Sequence, residues 1–263
     1  MKKIFVTFLV TVIVLGFIGC SSPKESNQLN SLEKIKKSGI LTMGLDDSFP
    51  PMEFRDDNNN LQGFDIDLGN EIAKKLGVKA EFITTDFNGI ILALTTGKFD
   101  MVLSTLSITD ERKQTIDFSE PYIMEGIIVA IKGGNSTINN LEDLKGKIIA
   151  CQMGSTSESA GQKISGIKEL KKYDKITEAF HDLSIGRIDA VVVDELVGRY
   201  YMSKKSGEYE VLKDKLNDEP VGIGFKKEDV ELKEAVQKAI EELKKDGTLS
   251  KLSIKWFGVD IYK

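Results

Sequence analysis

Histidine is nearly absent from this 263-residue chain: His181 is the single one. Cysteine is almost as scarce, at Cys20 and Cys151 only. Metal sites draw on clusters of such ligands, so no metal is expected, and no other cofactor either. His181 reads as a surface or helix residue. Concentrated positive charge is also lacking, since 36 Lys and Arg face 41 Asp and Glu for a net charge of −5. Phosphate contacts need a basic face, so nucleic acid is not an expected partner. The lysine-rich run 168–175 reads as a solvated helix or loop surface. Disorder throughout is excluded by a hydrophobic content of 41% with only five prolines, which supplies material for sizeable cores.

One long apolar run is present, Ile4 to Ile18, behind Lys2 and Lys3. It is shorter than the ~20 residues a spanning helix needs, and reads as a secretory signal. Gly19-Cys20 ends it, and the polar stretch 21–28 follows. This order resembles a bacterial lipoprotein signal, with Phe17 where an aliphatic residue is usual. The resemblance implies cleavage after residue 19, acylation of Cys20 and a linker over 20–30. Stable anchoring takes two or more acyl chains. An uncleaved membrane anchor is the alternative, and it too places the rest of the chain outside. With Cys20 carrying lipid, Cys151 has no disulfide partner. Its context, 147–151, predicts a strand with a small buried thiol.

Beyond the linker, strand and helix patterns alternate. Leu41, Met43 and Leu45 alternate with small or polar residues, as in a half-buried strand. Leu68, Ile72, Ala73 and Leu76 follow helical spacing and Gly77 stops it. Strands are predicted near 78–82 and 100–103, with a helix at 90–94 between them. The pattern restarts with strands at 127–131, 148–151 and 188–193 and a short helix at 141–145. Leu232, Ala235, Val236, Ala239, Ile240 and Leu243 make one apolar stripe of a helix closed by Gly247, and 249–256 predicts a last short helix. This order defines an α/β fold built on largely parallel sheets. In such sheets ligands bind outside the carboxyl ends of the strands.

Six segments lie in an order and spacing similar to those of polar amino-acid solute-binding proteins of ABC importers, the bacterial extracellular solute-binding protein family 3. They are Asp46 to Phe54; Gly63-Phe64-Asp65-Ile66-Asp67-Leu68 with its helix; Ser104 to Arg112; Phe118 to Tyr122; Gln152 to Thr156; and Gly186 to Ala190, ending at Asp194. The resemblance runs from about Ser31 to the C-terminus. It implies a periplasmic-binding-protein-like fold: two α/β lobes with mixed sheets, joined by a two-crossing hinge. Lobe 1 would be 31–124 plus 222–263, and lobe 2 would be 125–221.

A free amino acid is a zwitterion, so its receptor needs a fixed cation, a fixed anion and neutral hydrogen-bond partners. Arg112 can fork onto the α-carboxylate through two parallel bonds. Ser104, Thr105 and Ser107 lie in the loop before it, while Thr109 suits a helix N-cap. Gly154, Ser155 and Thr156 follow a strand and open a helix, where N–H groups favour an anion. Asp194 ends a buried strand, and a buried carboxylate needs a partner, here the ligand's ammonium. Asp189 reads as structural. By the resemblance, Phe49 and Phe87 stack on the ligand side chain, core packing being the alternative reading. Asp46 occupies the position that reads that side chain, turn formation being its alternative. Acidic and aromatic lining favours arginine, lysine, ornithine, histidine or glutamine.

The expected protein is therefore a monomeric, lipid-anchored receptor on the extracellular face of the cell membrane, handing an amino acid to an ABC permease. The alternatives are a cystine-binding receptor and an enzyme of the dehydratase type, which is found on the same fold. No catalytic histidine, nucleophile–base pair or metal set supports the enzyme.

Overall fold

The computed structural model describes residues 30–263. The signal segment, Cys20 and all but the last residue of the linker lie outside the described residues. Asn30 caps the first helix, Ser31–Ser38: its side chain accepts from the Glu33 N–H, and the Glu33 carboxylate accepts from the Asn30 N–H. Such reciprocal capping satisfies two otherwise orphaned donors.

The chain builds two lobes, each around its own mixed sheet. In the first, Lys79–Thr84, Ile40–Leu45 and Met101–Val102 run parallel, and Gly224–Phe225 and Asp117–Phe118 complete the sheet. In the second, Glu169–Tyr173, Ile148–Gln152 and Ala190–Asp194 run parallel. Ile123–Lys132 joins them antiparallel, and Tyr209–Val211 and Asn217–Val221 pair with its two ends. A small antiparallel ribbon, Ser48–Phe49, Glu53–Arg55 and Leu61–Gln62, rises from the first lobe.

Helix Phe64–Leu76 shows why the local sequence folds this way. Gly63 precedes it at φ 143°, and a Cβ there would lie 2.0 Å from the Met52 carbonyl oxygen. Glycine alone tolerates both demands. Leu68, Ile72 and Ala73 face the core with Met43, Leu41 and Phe225, and the helix packs against Val230–Lys245. That helix buries Leu232, Val236, Ala239, Ile240 and Leu243, as its stripe predicts. Thr248–Phe257 forms the last helix.

Two expectations need correction. The lysine-rich run is not a surface helix or loop: Glu169–Tyr173 is the edge strand of the second sheet. Lysines on an edge strand discourage pairing with other chains, and Lys172 is tied to Glu158 at 2.6 Å. The strand expected at 127–131 begins earlier, at Ile123, because its first half is one of two strands that carry the chain between lobes. Asn217–Val221 is the other, pairing Ile123 with Val221 and Asn217 with Ile127. As expected, Cys151 is fully buried, and burial pushes its thiol up to about 12. His181 is exposed on helix Ile176–Ser184, and Asp189 accepts from the Ile148 N–H at 2.8 Å. Among the described residues no helix is long and apolar enough to cross a membrane.

Candidate functional site

The carboxyl ends of the parallel strands of both sheets point at one another. Asp46 follows Leu45, Ser104 to Ser107 follow Met101–Val102, Gly154 to Thr156 follow Gln152, and Asp194 ends its strand. Open α/β sheets place ligands at such ends.

Arg112 sits in helix Asp110–Thr115, whose N-cap is Thr109. Its Nη1 donates to the Ser107 carbonyl at 2.8 Å, and its Nη2 reaches across to the Gly154 carbonyl at 3.1 Å. The Phe87 ring lies beneath it, 5.5 Å from the guanidinium carbon. Burial lowers the Arg112 pKa, while Glu219 and Asp194 act to raise it. Ser107 and Thr156 join their hydroxyls across the cleft at 3.1 Å, and Thr156 also donates to Glu219 at 2.6 Å. Ser155 caps helix Thr156–Gln162 by accepting from the Glu158 N–H. A cavity of about 390 Å³ adjoins Arg112, with Gly154, Ser155, Thr156 and Glu219 in its wall.

Asp194 is buried and accepts from the Ser157 hydroxyl at 3.1 Å. Burial first, and then the Glu219 carboxylate, push it up to about 7, against the pull of Arg112. A proximate cation would reverse that shift, since opposite charge favours the ionised form.

Asp46 is buried at the other end of the cleft with both oxygens engaged. Oδ1 accepts from the Ser48 N–H at 2.8 Å and its hydroxyl at 2.5 Å, and Oδ2 accepts from Gln152 of the facing lobe at 2.9 Å. Its carboxyl is raised, chiefly by burial. Beside it Lys175 reaches Asp47 across the lobes at 3.4 Å, and Phe54 meets Tyr200 with ring centroids 5.8 Å apart. Phe49 is buried in an apolar cluster drawn from both lobes, its short strand lying against helix Ile176–Ser184 of the second.

Ser104 and Thr105 turn inward. The Ser104 hydroxyl donates to Glu53 at 2.9 Å and accepts from the Asp46 N–H. The Thr105 N–H donates to Asp65 at 2.9 Å, and the Tyr122 hydroxyl donates to the same carboxylate. Burial, followed by the repulsion of Asp65, pushes Glu53 well above the usual carboxylate range, and burial takes Asp65 to about 6. This floor of buried acids escaped the reading of the sequence, as did Gln152 as a side chain. The aspartate of the Gly-Phe-Asp motif was its one visible trace. Among the sequence-selected residues, Arg112, Ser107, Gly154, Thr156 and Phe87 meet in one group, with Asp194 adjoining through Arg112 and Ser157. Asp46 is buried apart from that group, bonded across the lobes to Gln152.

Two α/β lobes, a pair of connecting strands, an arginine on the short helix of one lobe and a buried aspartate at a strand end of the other define a two-lobed solute-binding protein. The chain belongs to the bacterial extracellular solute-binding proteins, family 3, whose model matches residues 41–259. It is 35% identical over 257 residues to the L-cystine-binding protein TcyJ of Escherichia coli K12, covering 97% of this chain and 96% of that protein. Among solved structures it is similar to an ancestral arginine-binding protein, determined with arginine and with glutamine. In both the identity is 47% and the TM-score 0.79, over 84% of this chain and 99% or 98% of that one. It is also similar to the ancestral amino acid-binding protein AncCDT-1, a precursor of cyclohexadienyl dehydratase, at 41% identity and TM-score 0.82, over 87% of this chain and all of that one.

Proposed function

We propose that this protein is the receptor of an ABC importer for a free polar L-amino acid with a cationic or amide side chain. The observation that carries the reading is Arg112 of one lobe, bonded across the cleft to the Gly154 carbonyl and within electrostatic reach of buried Asp194 on the other. A zwitterion bridges them, its carboxylate on the guanidinium fork and its ammonium on Asp194. Arg112 accepts the carboxylate by giving up its bond to the Gly154 carbonyl. Asp46 reads the side chain by exchanging the Gln152 amide for the ligand's nitrogen. Residues 31–124 with 222–263 and residues 125–221 move as the two lobes. The hinge is the strand pair that joins them, and a ligand contacting both lobes favours the closed form. Acylated Cys20 tethers the protein to the membrane, and it works as a monomer.

A thermal-shift screen of the 20 amino acids with ornithine, citrulline and cystine tests the ligand class. A ligand at 100 times its Kd stabilises the fold by about 2.7 kcal/mol. Arginine, lysine, ornithine, histidine or glutamine should give the largest shifts; stabilisation by acidic or aliphatic amino acids alone would remove Asp46 from its role. The 35% identity to TcyJ favours cystine as the second reading. A dehydratase is separated by recovery of the ligand, which a receptor returns unchanged.

A further inference from the structure

The two strands that cross between the lobes carry a facing pair of carboxyl groups, Glu125 and Glu219. The register sets Glu125 directly opposite Glu219. Residues opposite one another share a sheet face, and like charges in that position are destabilising. Asp194 stands opposite Ile127 on the neighbouring strand. Glu125 lies two residues from Ile127, so Asp194 is its diagonal neighbour on the same face. Three carboxyl groups thus occupy one corner of the second sheet. That face looks into the cleft, because Glu219 accepts from Thr156, whose hydroxyl meets Ser107 of the first lobe.

Glu125 is the anomalous member. It is 7% exposed, and neither carboxyl oxygen has a hydrogen-bond partner. The Leu196 N–H approaches it without meeting hydrogen-bond geometry. Around it stand Asp194, Asp65 and Glu219, with the Tyr122 phenol close by. Glu195, next to Asp194, is already held by Arg199 and Lys215. Arg112 faces Asp194 and Glu219, with its own bonds going to Ser107 and Gly154. A buried acid without a partner costs stability unless something completes it, and this one adjoins the group assigned to the ligand's ammonium.

We propose that Glu125 joins Asp194 in holding the ammonium of the bound amino acid, as a second ligand-reading carboxylate placed on the hinge itself. This rests on the reading of the cleft as an amino-acid site. Burial, followed by Asp194, holds the Glu125 carboxyl well above the usual carboxylate range. The ammonium's charge shifts it toward the ionised form, and the proton it gives up passes to solvent. Seating the ligand on the hinge strands then couples occupancy to lobe closure.

The test is calorimetric titration of wild type, Glu125→Gln and Arg112→Ala with L-arginine and L-glutamine, at pH 7, in buffers of different ionisation enthalpy. Wild type should release protons on binding either amino acid. Glu125→Gln should release fewer and bind both roughly 10- to 100-fold more weakly, the loss expected for a bond to a charged group. A strut without ligand contact would leave proton release unchanged. Wild-type affinity with unaltered proton release in Glu125→Gln, or weakening confined to arginine, would overturn the proposal. Should Glu125→Gln misfold, the wild-type pH profile decides: affinity rising between pH 5 and 8 by more than one proton supports a second titrating carboxyl beside Asp194, and a slope of one or less overturns it. Failure of Arg112→Ala to weaken binding would sink the amino-acid reading separately. No heat from either amino acid on wild type would overturn both.

Discussion

Arg112 and Asp194 are each costly in isolation, and each is what the other end of a zwitterion needs. Asp194 has a signed pH consequence. Its pKa is about 7 in the folded protein and about 3.9 when unfolded. The folded state therefore holds the proton more tightly. Below pH ~4 both states are protonated and nothing is lost; from there to about 7 stability falls as the unfolded chain ionises first. Asp194→Asn should raise the ligand-free melting temperature at pH 8 by the equivalent of roughly 1–4 kcal/mol and change it little at pH 4. Scanning calorimetry at the two pH values checks this; a variant less stable than wild type at pH 8 would contradict it. Arg112 and Asp194 were legible because each ends or follows a buried strand in a motif of several residues. Glu125 and Glu219 were not, because their opposition depends on the register of two strands distant in the chain.

At the scale of elements, the turn after Ile148–Gln152 carries a constraint that reaches across the cleft. Gly154 sits at φ 76°, and a Cβ there would lie 2.9 Å from Asn88 Cα on the facing lobe. Gly154→Ala should lower ligand-free stability by about 1–3 kcal/mol through left-handed strain. It should also weaken ligand binding, because a methyl group there would hold the two lobes apart at Asn88. Melting temperature and titration read the two effects separately; unchanged affinity would mean that this approach is not part of closure. Periodicity exposed the long elements, such as the helix stripe from Leu232 to Leu243. It did not expose the two-residue strands Asp117–Phe118 and Gly224–Phe225, too short for any pattern. Nor did it identify the lysine-bearing edge strand, whose charges mimic a solvated helix.

For the molecule as a whole, contacts between protein groups already join the lobes. Gln152 with Asp46, Lys175 with Asp47, and Tyr200 with Phe54 all join the lobes on the side of Asp46. Removing the Gln152 bond in Gln152→Ala should shift the ligand-free protein toward open forms by about 1 kcal/mol, seen as a larger radius of gyration in small-angle X-ray scattering. Two lobes could be read from the restart of the α/β pattern, but these bridges could not, since they join residues only the folded cleft brings together. The central claim is that the cleft holds an amino-acid zwitterion by its carboxylate on Arg112. Calorimetric titration of Arg112→Ala against wild type, with whichever amino acid most stabilises the protein, tests it most directly. The account predicts a loss of ~2–5 kcal/mol, the usual cost of unpairing such a charge. Affinity close to wild type would contradict it.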